Sequence, residues 1–123
     1  MLKILTLLAL LHPVAPAADS LSGTWQISGD IIGNPFAEVC TVKQEGTALT
    51  GSCTIEGAQP RALTGEVKDG KVSISHGGDY EGQALTLVYS GTVASPTEFK
   101  GTLTIQPFDV GGAFTATLAP PKP

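Results

Sequence analysis

From Ser22 onward the chain alternates apolar and polar residues with a period of two, broken at intervals by glycine. That period places successive side chains on opposite faces of an extended strand, so it predicts β-structure throughout. No stretch has helical spacing. Eight strands can be drawn, over about 22–28, 36–45, 48–56, 61–68, 71–76, 83–93, 98–106 and 112–118. Their connections are short, which favours antiparallel pairing of each strand with the next.

Three hairpins fix their own register. If Gly46-Thr47 is a type II′ turn, counting outward sets Glu45 against Ala48, Gln44 against Leu49, Val42 against Gly51 and Cys40 against Cys53. One face then holds Cys40, Val42, Leu49, Cys53 and Ile55, while the other holds Thr41, Lys43, Thr50, Ser52 and Thr54. The same count that separates apolar from polar also brings the two cysteines opposite each other. Asp69-Gly70, as a type I′ turn, pairs Val67 with Val72, Gly65 with Ile74 and Leu63 with His76. A turn around 94–97 pairs Val93 with Phe99, Gly91 with Gly101, Tyr89 with Leu103 and Leu87 with Ile105.

Inward glycines recur two residues from a large inward residue, at Gly23, Gly51, Gly65, Gly91 and Gly101. Glycine inside a strand costs stability, so repetition at one depth implies a geometric need. We read it as a ring of missing side chains that lets the strands coil and makes room for Trp25. An even strand number and an unbroken meander favour closure, which also removes exposed sheet edges. The expected fold is therefore all-β: an eight-stranded antiparallel up-and-down meander barrel.

The ends change the picture. Met1-Leu2-Lys3, the apolar run 4–11 and the small residues Ala15 and Ala17 have the form of a bacterial export signal, with cleavage after residue 17. The run is far short of the roughly 20 residues that cross a bilayer. The expected organisation is a signal peptide at 1–17, one domain at 18–118, and a Pro-rich stub at 119–123. Export to the periplasm or the medium makes an intrachain disulfide the expected state of Cys40 and Cys53.

Charge narrows the partners. Eleven acidic residues face seven basic ones, and one of those, Lys3, lies in the leader. That balance argues against nucleic acid, and no span for membrane insertion is present in the mature chain. A monomer is expected.

Catalytic candidates are few. His76 is the one histidine after the leader, and both cysteines are committed to each other. No nucleophile-elbow, zinc-protease or phosphate-loop pattern occurs. The carboxylates, Asp79 and Glu81 among them, fall at turns and outward positions where solvation is expected. The chain is thus expected to be no enzyme and to carry no metal or cofactor.

One barrel end carries the tight turns at 46–47, 69–70 and 94–97; the other carries longer links at 29–35, 57–60, 77–82 and 107–111. The second end gathers apolar and aromatic residues, which on loops point to recognition. A small apolar ligand entering there would meet Phe36, Ile55, Leu63, His76, Tyr80, Leu87, Ile105 and Phe108.

Gly23-Thr24-Trp25 on the first strand of an eight-strand meander resembles the start of lipocalins and their barrel relatives. In those proteins the tryptophan closes one end, which implies that Trp25 plugs the end opposite the longer links. The repeated Leu-Thr-Gly segments look similar to small exported bacterial barrels of lipocalin-like or avidin-like shape, a resemblance that implies a fold and no assigned activity. Small periplasmic metalloprotease inhibitors share the architecture through Trp25, the cysteine pair and a short free N-terminus at 18–22. That likeness implies the alternative, a module that binds an extracytoplasmic protein such as a hydrolase.

Overall fold

The computed structural model describes residues 20–120. The proposed signal peptide, and most of the Pro-rich stub, lie outside the described residues. Eight strands follow one another: β1 (Gly23–Ile31), β2 (Asn34–Glu45), β3 (Ala48–Thr54), β4 (Arg61–Lys68), β5 (Lys71–Tyr80), β6 (Gln83–Ser95), β7 (Glu98–Gln106) and β8 (Val110–Leu118). Each pairs antiparallel with the next, and β8 pairs with β1 through Trp25–Leu118 to Gly29–Phe114, closing the barrel.

The hairpin registers are those the turns dictate. Cys40 faces Cys53, Leu63 faces His76, and Leu87 faces Ile105. Gly46 alone has positive φ in its turn, as type II′ requires, whereas Asp69 and Gly70 both do, as type I′ requires. The third turn narrows to Pro96-Thr97, because a bulge near Ala94 brings Ser95 opposite Glu98. Cys40 and Cys53 form a disulfide with their Cα atoms 4.0 Å apart.

The opposite end differs from expectation. Its links at 29–35 and 77–82 are mostly strand, so β1, β2 and β5 run further than the alternation suggested, and the link at 107–111 shrinks to a turn at 107–109. Ile32-Gly33 and Glu81-Gly82 close two hairpins with positive φ at both positions, 51° and 85° in the first. Backbone pairing continues to Ile31–Asn34 and Tyr80–Gln83. Only residues 55–60, between β3 and β4, form a longer connection.

The core is a column of rings. Trp25 packs against Phe99 at a tilt, ring centres 4.8 Å apart, Phe99 meets Phe114 at 6.0 Å, and Phe114 meets Tyr89 edge-on at 5.1 Å. Trp25 is fully buried and its Nε1–H donates to the Leu21 carbonyl at 2.8 Å. Leu21 is itself buried, and its N–H donates to Gln44 Oε1 at 2.8 Å. The expected free N-terminal segment is therefore tied down at Leu21, which caps the plugged end over Trp25.

The inward glycines serve the coil more than the tryptophan. A Cβ on Gly51 would stand 1.8 Å from the Thr41 carbonyl oxygen, and one on Gly65 would stand 2.0 Å from that of Ser73. Neighbouring backbone, not the indole, occupies the nearest space at both. Gly51→Val should therefore lower stability by about 3 kcal/mol or more. Gly46→Ala, which meets open space at a positive φ, should cost about 1 kcal/mol. Urea denaturation of the two variants checks the contrast.

Candidate functional site

A cavity of about 620 Å³ opens at the end formed by the β1–β2, β3–β4, β5–β6 and β7–β8 connections. Of the expected ligand contacts, Phe36, Ile55, Tyr80, Leu87, Ile105 and Phe108 line it together. Ile31, Ile32, Leu85 and Val110 complete an apolar wall. Ile32, Tyr80 and Phe108 stand at the rim, 66%, 64% and 46% exposed. Among the described residues the one other exposed large hydrophobic side chain is Val39, alone on the outer wall of β2.

Leu63 and His76 do not line the cavity. His76 faces Leu87 across the β5–β6 pair and is buried, held by Glu38 and the Gly77 carbonyl instead of facing the cavity. The expectation of a mouth histidine fails because β5 continues for four residues past it, carrying the rim to Tyr80. Leu63 is its β4 neighbour at the same depth and is equally enclosed.

Glu38 is the residue that the sequence reading misplaced. Solvation is the expected state of the carboxylates, yet Glu38 is buried and points inward beside His76 and Tyr89. The signal was available: Phe36, Glu38, Cys40 and Val42 share one parity on β2. A charge at an inward position of a half-buried strand needs partners, and here it has them.

The hydrogen bonds of this cluster allow little freedom. Tyr89 Oη donates to Glu38 Oε2. His76 Nδ1 lies 2.8 Å from the Gly77 carbonyl, which can only accept, so Nδ1 carries a proton. Nε2 lies 3.1 Å from Glu38 Oε2. An unprotonated Nε2 against an ionised carboxylate would set lone pair against lone pair. One proton must therefore lie between His76 and Glu38. Glu38 Oε1 is also 3.1 Å from Nε2 but has no hydrogen bond of its own.

Burial works to lower the His76 pKa, but the hydrogen bond and charge of Glu38, with the Gly77 carbonyl, outweigh it and hold it above its ordinary value. Tyr89 is pushed far up by burial and by the adjacent Glu38, so its hydroxyl remains a donor. Glu38, Cys40 and Cys53 bring potential metal-ligating atoms within 4.8 Å of one another. The two sulfurs are bonded to each other, so the set offers no thiolate.

A second hollow of about 540 Å³ lies at the plugged end, among Gln44, Thr47, Lys68, Asp69 and Ser95. Its walls are largely turn residues, and Leu21 closes it from the core.

No family model and no curated protein matches this chain. Solved structures do match, among them three redesigned β-barrels. The chain is similar to mFAP1, bound to DFHBI, with a TM-score of 0.61 and 22% identity over 84% of this chain and 99% of that one. It is similar to mFAP0, also bound to DFHBI, with a TM-score of 0.54 and 20% identity over 79% and 97%. A further redesigned barrel matches with a TM-score of 0.60 and 20% identity over 85% and 96%. At such identities the likeness shows an eight-stranded antiparallel barrel and no family.

The shared proton sets a pH dependence. A histidine whose folded pKa exceeds 6.5 contributes stability in full below that value and loses it as pH rises through the folded pKa. The urea midpoint should fall as pH is raised from about 6.5 to 9. Glu38→Gln should flatten that slope; a midpoint unchanged in the parent protein over this range would refute the shared proton.

Proposed function

We propose that this chain is a non-catalytic binding protein, exported to the periplasm or medium, that takes a small apolar ligand at the open barrel end. The observation that carries this is the cavity itself: apolar walls, a volume of about 620 Å³, and three exposed hydrophobic side chains gathered at its rim. Ligand pockets commonly occupy about 300–1,000 Å³ with mainly apolar linings. An eight-stranded barrel can fill its interior or leave room for one small molecule, and this one leaves room at one end.

The backbone adds support. Ile32 holds φ at 51° while 66% exposed. A β-branched residue in that region is strained by about 1–2 kcal/mol, and exposing it gains nothing for the fold. An apolar rim explains both costs. Two barrels of this shape, mFAP1 and mFAP0, are solved bound to DFHBI, which is consistent with a ligand in such an interior. The outer wall, with Thr24, Thr41, Thr64, Ser73, Thr92 and Thr102 exposed, suits water rather than lipid.

The alternative, a module that inhibits an extracytoplasmic hydrolase through its N-terminus, is less well supported. Leu21, which such a mechanism would need to free, is buried against Trp25.

Binding is tested with N-phenyl-1-naphthylamine, a neutral probe whose fluorescence rises in apolar surroundings. The protein should enhance its emission saturably, and Leu87→Trp, which fills the cavity, should weaken binding by about tenfold or more, ~1.4 kcal/mol. Circular dichroism confirms that the variant stays folded. Unchanged affinity in a folded Leu87→Trp protein would remove the probe from the cavity and overturn the proposal.

A further inference from the structure

The two ends of the barrel differ in charge as well as in depth. At the plugged end carboxylates and lysines answer one another: Lys43 pairs with Glu45 at 3.3 Å, and Lys68 and Lys71 flank the Asp69-Gly70 turn. At the mouth they do not. Asp30, Glu56, Asp79, Glu81 and Asp109 are all exposed there. Among the described residues the one cation at this end is Arg61, already 3.1 Å from Asp79.

Each of these carboxylates is the chain neighbour of a residue that lines the cavity. Asp30 precedes Ile31, Glu56 follows Ile55, Asp79 and Glu81 flank Tyr80, and Asp109 separates Phe108 from Val110. An apolar wall is thus edged by negative charge on every hairpin that forms the rim. Such a rim repels a fatty-acid carboxylate or an anionic lipid surface and concentrates cations at the opening. Tyr80 and Phe108 also present aromatic rings there, which favour a soft positive group.

We propose that the ligand is a lipophilic cation, with an apolar or aromatic body seated among Ile55, Leu87 and Ile105 and a positive centre held at the carboxylate rim. This rests on the binding reading above and names the chemical class of its ligand. Because the rim charges are solvated, selectivity must weaken as salt shortens the screening length from about 30 Å at 0.01 M to about 3 Å at 1 M.

Two ions of nearly the same shape and opposite charge make the test. Tetraphenylphosphonium and tetraphenylborate are each titrated, as sodium or chloride salts, against the protein loaded with N-phenyl-1-naphthylamine. At about 0.01 M sodium chloride the phosphonium should displace the probe about tenfold more effectively than the borate, a gap that narrows severalfold at about 1 M.

The triple variant Asp30→Asn, Glu81→Gln, Asp109→Asn should bring the ratio towards one at low salt and leave the neutral probe's affinity unchanged. Asparagine tolerates the positive φ of Asp109 and retains the Asp30 oxygen that accepts from the Gly33 N–H. Equal displacement, preference for the borate, displacement by neither ion, or a ratio untouched by the triple variant would overturn the cation proposal while the cavity reading stands. Failure of the neutral probe to bind would overturn both.

Discussion

A sheet that closes on itself leaves no edge to water, but it confines every inward side chain to one narrow cylinder. Eight strands can close only if they coil, and coiling forces neighbouring backbones together where the turn is sharpest. Those are the places where Gly51 and Gly65 sit, with carbonyl oxygens of the adjacent strand in the space a Cβ would need. Once closed, the cylinder must be filled. The rings of Trp25, Phe99, Phe114 and Tyr89 do this from the plugged end upward. The cavity begins where the column stops.

What stops it is polar. Above Tyr89 the next layer holds His76 and Glu38, joined to each other through one proton, with the Tyr89 hydroxyl donating to Glu38 from below. A buried carboxylate without partners would be expelled or neutralised, whereas this one is held by His76 and Tyr89 from the paired strands β5 and β6. The cluster therefore ties β2 across the barrel to β5 and β6. It lies level with Leu87 and Ile105, where the packed lower half gives way to the cavity that those two residues and Phe36 line.

The legible part of the fold was the part governed by parity. Gly46-Thr47 and Asp69-Gly70 are turns whose residue types state their own geometry, and one turn placed correctly assigns every side chain of both strands to a face. The cysteine pair followed from that count. The mouth was harder to read because Ile32 occupies a turn position that a β-branched residue rarely adopts, so 29–35 looked like a loop rather than a hairpin. The continuation of β5 to Tyr80 likewise places His76 in the interior and not at the rim. Glu38 shares the parity of Phe36, Cys40 and Val42, so its position marks it as inward although its charge points to solvent.

The chain contains a single tryptophan, and the barrel seals it at the end remote from the cavity, against Phe99 and beneath Leu21. Intrinsic indole emission will accordingly follow the melting of the lower barrel and remain nearly blind to whatever occupies the opening. The same molecule thus offers a built-in gauge of its own integrity that occupancy at the far side leaves undisturbed.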